Sequence, residues 1–158
     1  MPDTGVRHFL GSVRIDEVSL APASPEQEHE RKVAVSDLLR ANYFEPEEAP
    51  GGPYELRIGL IDDRLGLDIT GKDYERRHLL SLQPFRRIVR DYLVICQSYN
   101  EALRNASPAQ IESIDMGRRG LHNEGSELMR ERLAGKVKTD VPTSRRLFTL
   151  LCALHWRG

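Results

Sequence analysis

The chain has 158 residues, 39% hydrophobic and 30% charged, with a formal net charge of −1. That length suits one domain with a sizeable core, and that balance excludes a disordered chain and the need for disulfide staples. The first five residues lack the basic start and apolar run of an export signal, and the longest apolar run, 147–156, is broken by Thr149 and His155 and is far short of the roughly 20 residues that cross a bilayer, so a cytoplasmic address is expected.

Residues 1–12 show no hydrophobic period and are expected to form a flexible leader to a single α+β domain over 13–158. Val13, Ile15, Val18 and Leu20 alternate with an offset at Asp16-Glu17, the pattern of a strand carrying a bulge. Ser24 suits an N-cap, Pro25 the first helical position and Gln27 the reciprocal arm of a capping box. A helix is therefore predicted over 25–42, with Val35, Leu38 and Leu39 as a narrow apolar stripe. The run EPEEAPGGP that follows reads as an irregular exposed loop over 43–53.

Tyr54, Leu56, Ile58 and Leu60 alternate, as do Leu65, Leu67 and Ile69, and Asp62-Asp63 between them can turn, which gives a hairpin with one apolar face. A second turn at 70–73 and a third strand over 77–82 would complete an antiparallel meander. After Pro84 the period changes to near 3.6: Phe85, Ile88, Tyr92, Ile95, Tyr99 and Leu103 define a long amphipathic helix over 84–104, expected to lie across the sheet.

Ser107-Pro108-Ala109-Gln110 repeats the capping pattern, so a short helix should start at Pro108 and stop near Gly117 or Gly120. Glycine inside a helix costs about 1 kcal/mol relative to alanine, so Gly117, Gly120 and Gly125 signal breaks or close approaches. The reading here is a glycine-broken hinge, followed by a helix over 123–134 that ends at Gly135. Residues 136–140 form a connector or an edge strand. The last helix, 142–155, is apolar nearly all round through Leu147, Phe148, Leu150, Leu151 and Leu154, as suits a central core helix. The class is α+β: a small antiparallel sheet, the N-terminal strand plus the meander, packed on a C-terminal helical half. Cys96 and Cys152 fall in apolar helical sequence without CxxC spacing and read as reduced core thiols.

Charge is unevenly divided: 10 basic and 16 acidic residues up to position 83, 13 and 8 after it. Arginine outnumbers lysine 19 to 4, as planar pairing with carboxylate or phosphate favours. Arg86-Arg87 and Arg145-Arg146 stand near predicted helix starts, where the helix dipole disfavours cations. A bound anion would compensate, and so would ion pairs to Glu28, Glu30, Glu124 or Glu127.

The stretch DMGRRGLHNEGSELMRER, 115–132, adds Arg118, Arg119, His122, Asn123 and Glu124 and is the expected functional centre. No GxSxG, GxxxxGK[ST], GxGxxG or HExxH is present, and the HxE of His122-Asn123-Glu124 lacks a PCxxC. No metal site and no cofactor are expected. Interleaved acids such as Glu127 and Glu131 argue against a nucleic-acid face.

The segments EHERKVAVSDLL, GGPYELRIGLIDDRLGLDI, SLQPFRRIVRDYLVICQSYNEAL, IESIDMGRRGLHNEGSELMRERL and RRLFTLLCALHWRG resemble uncharacterised protein family 0262, small alphaproteobacterial proteins, over nearly everything after residue 12. The resemblance implies a compartment and a boundary and brings no assigned activity and no catalytic residue. The expected function is a non-catalytic cytoplasmic binding or regulatory protein. An arginine cluster of Arg86, Arg87, Arg118, Arg119, Arg145 and Arg146, with Asn123, would recognise a phosphate-bearing small molecule or an acidic protein surface. The competing class is a small hydrolase or transferase acting on a phosphorylated substrate, with His122 as general acid or base and Glu124 orienting it.

Overall fold

The computed structural model describes residues 5–154. In chain order the elements are β1 (Leu10–Ile15), α1 (Pro25–Arg40), β2 (Phe44–Pro46), β3 (Tyr54–Ile61), β4 (Arg64–Gly71) and β5 (Tyr74–Ser81). There follow α2 (Arg86–Asn105), α3 (Pro108–Leu133), β6 (Val137–Thr139) and α4 (Val141–Ala153). The class is α+β, with one sheet of order β1-β3-β4-β5 and a small second sheet of β2 and β6.

The meander forms as alternation predicts. Asp62 and Asp63 make the first two-residue turn between Ile61 and Arg64, and Lys72 and Asp73 make the second between Gly71 and Tyr74. Asp62 and Asp73 take positive φ, 55° and 52°, a region that aspartate tolerates better than most residues. Tight turns force antiparallel neighbours. By contrast β1 reaches β3 through α1, a long crossover, and pairs with it parallel, so the sheet is antiparallel-dominated rather than uniformly so.

Several boundaries differ from the sequence reading. Leu10, Gly11 and Ser12, assigned above to the leader, form the first half of β1, and Leu10 is buried. The strand also stops early, at Ile15. Residues 17–19 turn in a 3-10 helix that Ser19 closes by donating to Asp16 O (2.7 Å) and accepting from the Leu60 amide (3.0 Å), leaving Val18 exposed. The loop over 43–53 is not wholly irregular, because Phe44–Pro46 pairs with Val137–Thr139. A ladder of three residues has no period of its own and is fixed by tertiary placement. The end of the last predicted helix, with His155, lies outside the described residues.

Both capping boxes form, Ser24 with Gln27 and Ser107 with Gln110. The second opens not a short helix but a continuous one: α3 runs 26 residues through all three glycines, and there is no hinge. The long helix α2 packs along α3 as an antiparallel helical hairpin whose connection is two residues, Ala106 and Ser107, and its Ile88 and Val89 join the core cluster with the sheet. The helix that closes the core is α4, with Phe148, Leu150 and Leu151 wholly buried in one cluster with Leu56, Ile58, Leu65 and Ile69 of the sheet. Burying such side chains is worth about 1.5–3 kcal/mol each. Among the described residues, no helix is long and apolar enough to cross a membrane.

Candidate functional site

The stretch 115–132 occupies most of α3, and its glycines are close approaches rather than breaks. A Cβ on Gly125 would stand 2.2 Å from Cζ of Phe148, and one on Gly117 2.9 Å from Cδ1 of Ile95. The first lets α4 seat its ring against α3, and the second brings α2 onto the same helix. This contact draws His122 into the junction of α2, α3 and α4. Its ring lies 5.4 Å from that of Tyr92 and 5.4 Å from that of Phe148, both inclined to it.

The hydrogen bonds of His122 fix its ring in place. Nε2 shares a hydrogen bond with Thr149 Oγ at 2.7 Å, and that hydroxyl also reaches Arg145 O at 3.1 Å. Nδ1 faces Ser126 Oγ at 3.4 Å, while that hydroxyl donates to His122 O (2.6 Å). Burial, then the nearby Arg145 and Arg118 guanidinium groups, lower its pKa to about 4. His122 is neutral near pH 7. Glu124 does not orient it; the Glu124 carboxylate accepts from Arg87 (3.0 Å).

The arginines predicted as one cluster are divided. Arg118 and Arg119 both pair with Asp115 on their own helix, at 2.6 Å and 3.2 Å, and Arg118 also stacks over the Tyr99 ring. Arg87 is shared between Asp91 and Glu124. Arg86 opens α2 on its exposed side. Of the expected acids, Glu124 is taken by Arg87, and the pairing of Arg118 and Arg119 runs along α3 instead, where a three- or four-residue spacing brings side chains together.

Arg145 and Arg146, in the second turn of α4, behave differently. Arg145 donates to Asn123 Oδ1, and Arg146 donates to Ala41 O at the end of α1 (2.5 Å). Both acceptors are neutral, and among the described residues neither arginine meets a carboxylate. Arg146 and Thr149 line a small cleft of about 220 Å3 between α1 and α4, together with Ala34, Asp37 and Arg40. The structure thus sets Arg145 with Asn123 on the α3 side of α4 and Arg146 on its α1 side, with Thr149 lining the cleft and bonded to His122, and leaves Arg118 one turn away along α3.

Sequence reasoning missed three residues. Arg40 and Thr149 carry no motif. Arg31 was legible, because it stands at spacings of three and seven from Ala34 and Leu38 and so shares their buried face. Its guanidinium donates to Ala153 O (3.1 Å) and Leu154 O (3.2 Å), capping the end of α4. A second, larger concavity of about 970 Å3 lies between β1 and α1, away from every residue predicted for the site.

Comparison with known proteins places the chain clearly. A family model described as Uncharacterised protein family (UPF0262) matches residues 7–157. The chain is 62% identical over 156 residues to a UPF0262 protein of Phenylobacterium zucineum, covering 99% of this chain and 98% of the relative. It is 63% identical to a UPF0262 protein of Caulobacter vibrioides with the same coverage. A UPF0262 protein of Rhizobium meliloti is 54% identical over 151 residues, covering 94% and 95% of the two chains. No solved structure matches it.

Proposed function

The chain belongs to Uncharacterised protein family (UPF0262), and we propose that it is a non-catalytic binding protein that takes a phosphate-bearing small molecule at the seam of α1, α3 and α4. The observation that carries this is the state of Arg145 and Arg146. Both are held by neutral acceptors and meet no carboxylate among the described residues, so neither charge is balanced by an ion pair. An anion relieves both. Across the cleft Arg40 is paired with Asp37 (3.5 Å), so Arg146 leaves the lining net positive and the Thr149 hydroxyl adds a polar wall. Arg118 and Arg119, spent on Asp115, contribute field rather than contact.

Binding is favoured over catalysis by the condition of His122. Its Nε2 is engaged by Thr149, aromatic rings flank it, and its pKa of about 4 is far from the operating pH at which a general base works best. The Glu124 that would have oriented it is bound to Arg87.

The test is titration calorimetry and thermal shift with inorganic phosphate and then with phosphorylated metabolites. A ligand at 100 times its Kd stabilises by about 2.7 kcal/mol. Saturable binding that disappears in Arg145→Gln and in Arg146→Gln supports the proposal. Binding of equal strength in both variants, or none to any phosphorylated compound, defeats it.

A further inference from the structure

β1 is an edge strand, paired among the described residues with β3 alone. The Asp16 amide donates to Ile58 O (2.8 Å), and successive residues of a strand turn their amides to opposite sides. The amides and carbonyls of Val13 and Ile15 therefore point away from β3, to the open side. The start of that open edge is already occupied. Asn42 accepts from the Leu10 amide through Oδ1 (2.7 Å) and donates to Leu10 O through Nδ2 (3.3 Å), as a neighbouring strand would. Beyond Leu10 the side-chain substitute ends, and among the described residues no strand pairs with the edge.

Along this edge runs the groove of about 970 Å3 between β1 and α1. Its apolar wall is made by Val13 and Ile15 on the strand and by Val35 and Leu39 on the helix, all partly buried. Asn42, just past the end of α1, meets the start of β1, so the two elements run antiparallel and Glu17 and Glu28 lie toward the opposite mouth of the groove. The remaining rim is basic. Arg14 stands on the face opposite Val13 and Ile15, Lys32 on the helix, and neither forms an ion pair among the described residues.

We propose that this groove receives an extended, acidic segment of a partner protein, which adds to β1 as a fifth strand of its sheet. Its backbone meets the open groups of Val13 and Ile15. Side chains on one face of the segment fill the space beside Val35 and Leu39, and carboxylates on the other face meet Arg14, the division of labour by which strand addition separates affinity from specificity. A second copy of this chain fits less well, because pairing β1 with itself about Arg14 sets Arg14 toward Arg14, and like charges on paired strands are destabilising.

The experiment is to select from a displayed library of random nine-residue peptides on the full chain, then to titrate a fluorescein-labelled winner by anisotropy. Enriched peptides are expected to alternate β-branched or aromatic residues with Asp or Glu and to lack proline at positions facing β1. Affinity is expected to fall at least tenfold in Arg14→Glu with Lys32→Glu, whose exposed positions leave melting unchanged, and at least tenfold in Leu39→Glu. Arg145→Gln, which disables the phosphate seam, is expected to leave peptide binding intact, so the two sites fail independently. The proposal is overturned by an absence of enrichment, by basic or helix-periodic winners, or by affinity that the groove variants do not change. Self-association of the wild type that Arg14→Glu abolishes would assign the edge to a second copy instead.

Discussion

Gly125→Ala is the sharpest test of how α3 and α4 meet. Alanine in a helix interior is worth about 1 kcal/mol over glycine, so in an isolated α3 the change would stabilise. In the folded chain the new Cβ stands 2.2, 2.3 and 2.6 Å from three carbons of the Phe148 ring. Carbon contacts are optimal from about 3.5 Å, so helix or ring must withdraw by about 1.3 Å. The ring has nowhere to go: Phe148 is 0% exposed and is flanked by Tyr92 and His122. Overpacking of this kind costs roughly 1–3 kcal/mol, and a ring blocked on both sides belongs at the upper end. The net expectation is a loss of about 2 kcal/mol, which for a chain of this size lowers Tm by roughly 4–8 °C. Gly120→Ala is the matched control. No atom lies within 4 Å of its added Cβ, so it should gain about 0.5–1 kcal/mol. Urea unfolding followed by far-UV circular dichroism measures both at once. If Gly125→Ala is as stable as Gly120→Ala, α4 does not seat against α3 as described.

Two further outcomes follow from buried groups. Arg31→Ala removes both donors from the Ala153 and Leu154 carbonyls, and with hydrogen bonds to charged donors worth about 1.5–3 kcal/mol it should cost about 3 kcal/mol; Arg31→Lys, with a single donor head in place of the fork, should restore only part, and full restoration would show that charge rather than the cap is what matters. For His122 the folded pKa of about 4 lies below the ordinary 6.5, so the unfolded chain binds the proton first: the stabilisation is fully present above pH 6.5 and is lost as pH falls toward 4, at most on the order of 3 kcal/mol, and a ring titrating near 6.5 by NMR in the folded protein would refute the buried geometry.

Where local rules acted alone, the sequence was a sufficient guide. Ser24 and Ser107 open helices because cap and box need only four consecutive residues, and the meander follows from two-residue turns between alternating strands. The chain misled where distant partners decided. Gly117, Gly120 and Gly125 have the same propensity, yet two of them sit under side chains of α2 and α4 and the third touches nothing, a distinction invisible along the chain. The parallel pairing of β1 depends on where a crossover returns, and the three-residue ladder of β2 and β6 joins segments about ninety residues apart. For the candidate site, the arginines were legible as an excess but their partners were not. Asp115 claims Arg118 and Arg119 from three and four residues away, a pairing that helical spacing could have supplied once α3 was known to be unbroken. The neutral tethers of Arg145 and Arg146 reach 22 and 105 residues back, and no pattern in the sequence reports them.

The cap that Arg31 places on α4 also sets an order of events at the ribosome. Arg31 and the sheet are synthesised long before Ala153 and Leu154, the atoms that satisfy that guanidinium. Until α4 emerges, the inner face of the meander lacks the helix that covers it, and a cation destined for the interior lacks its acceptors. Contacts this remote along the chain form late and leave apolar surface exposed meanwhile. Closure of the core therefore waits on α4, and the meander remains an open half-core until that helix is available to cover it.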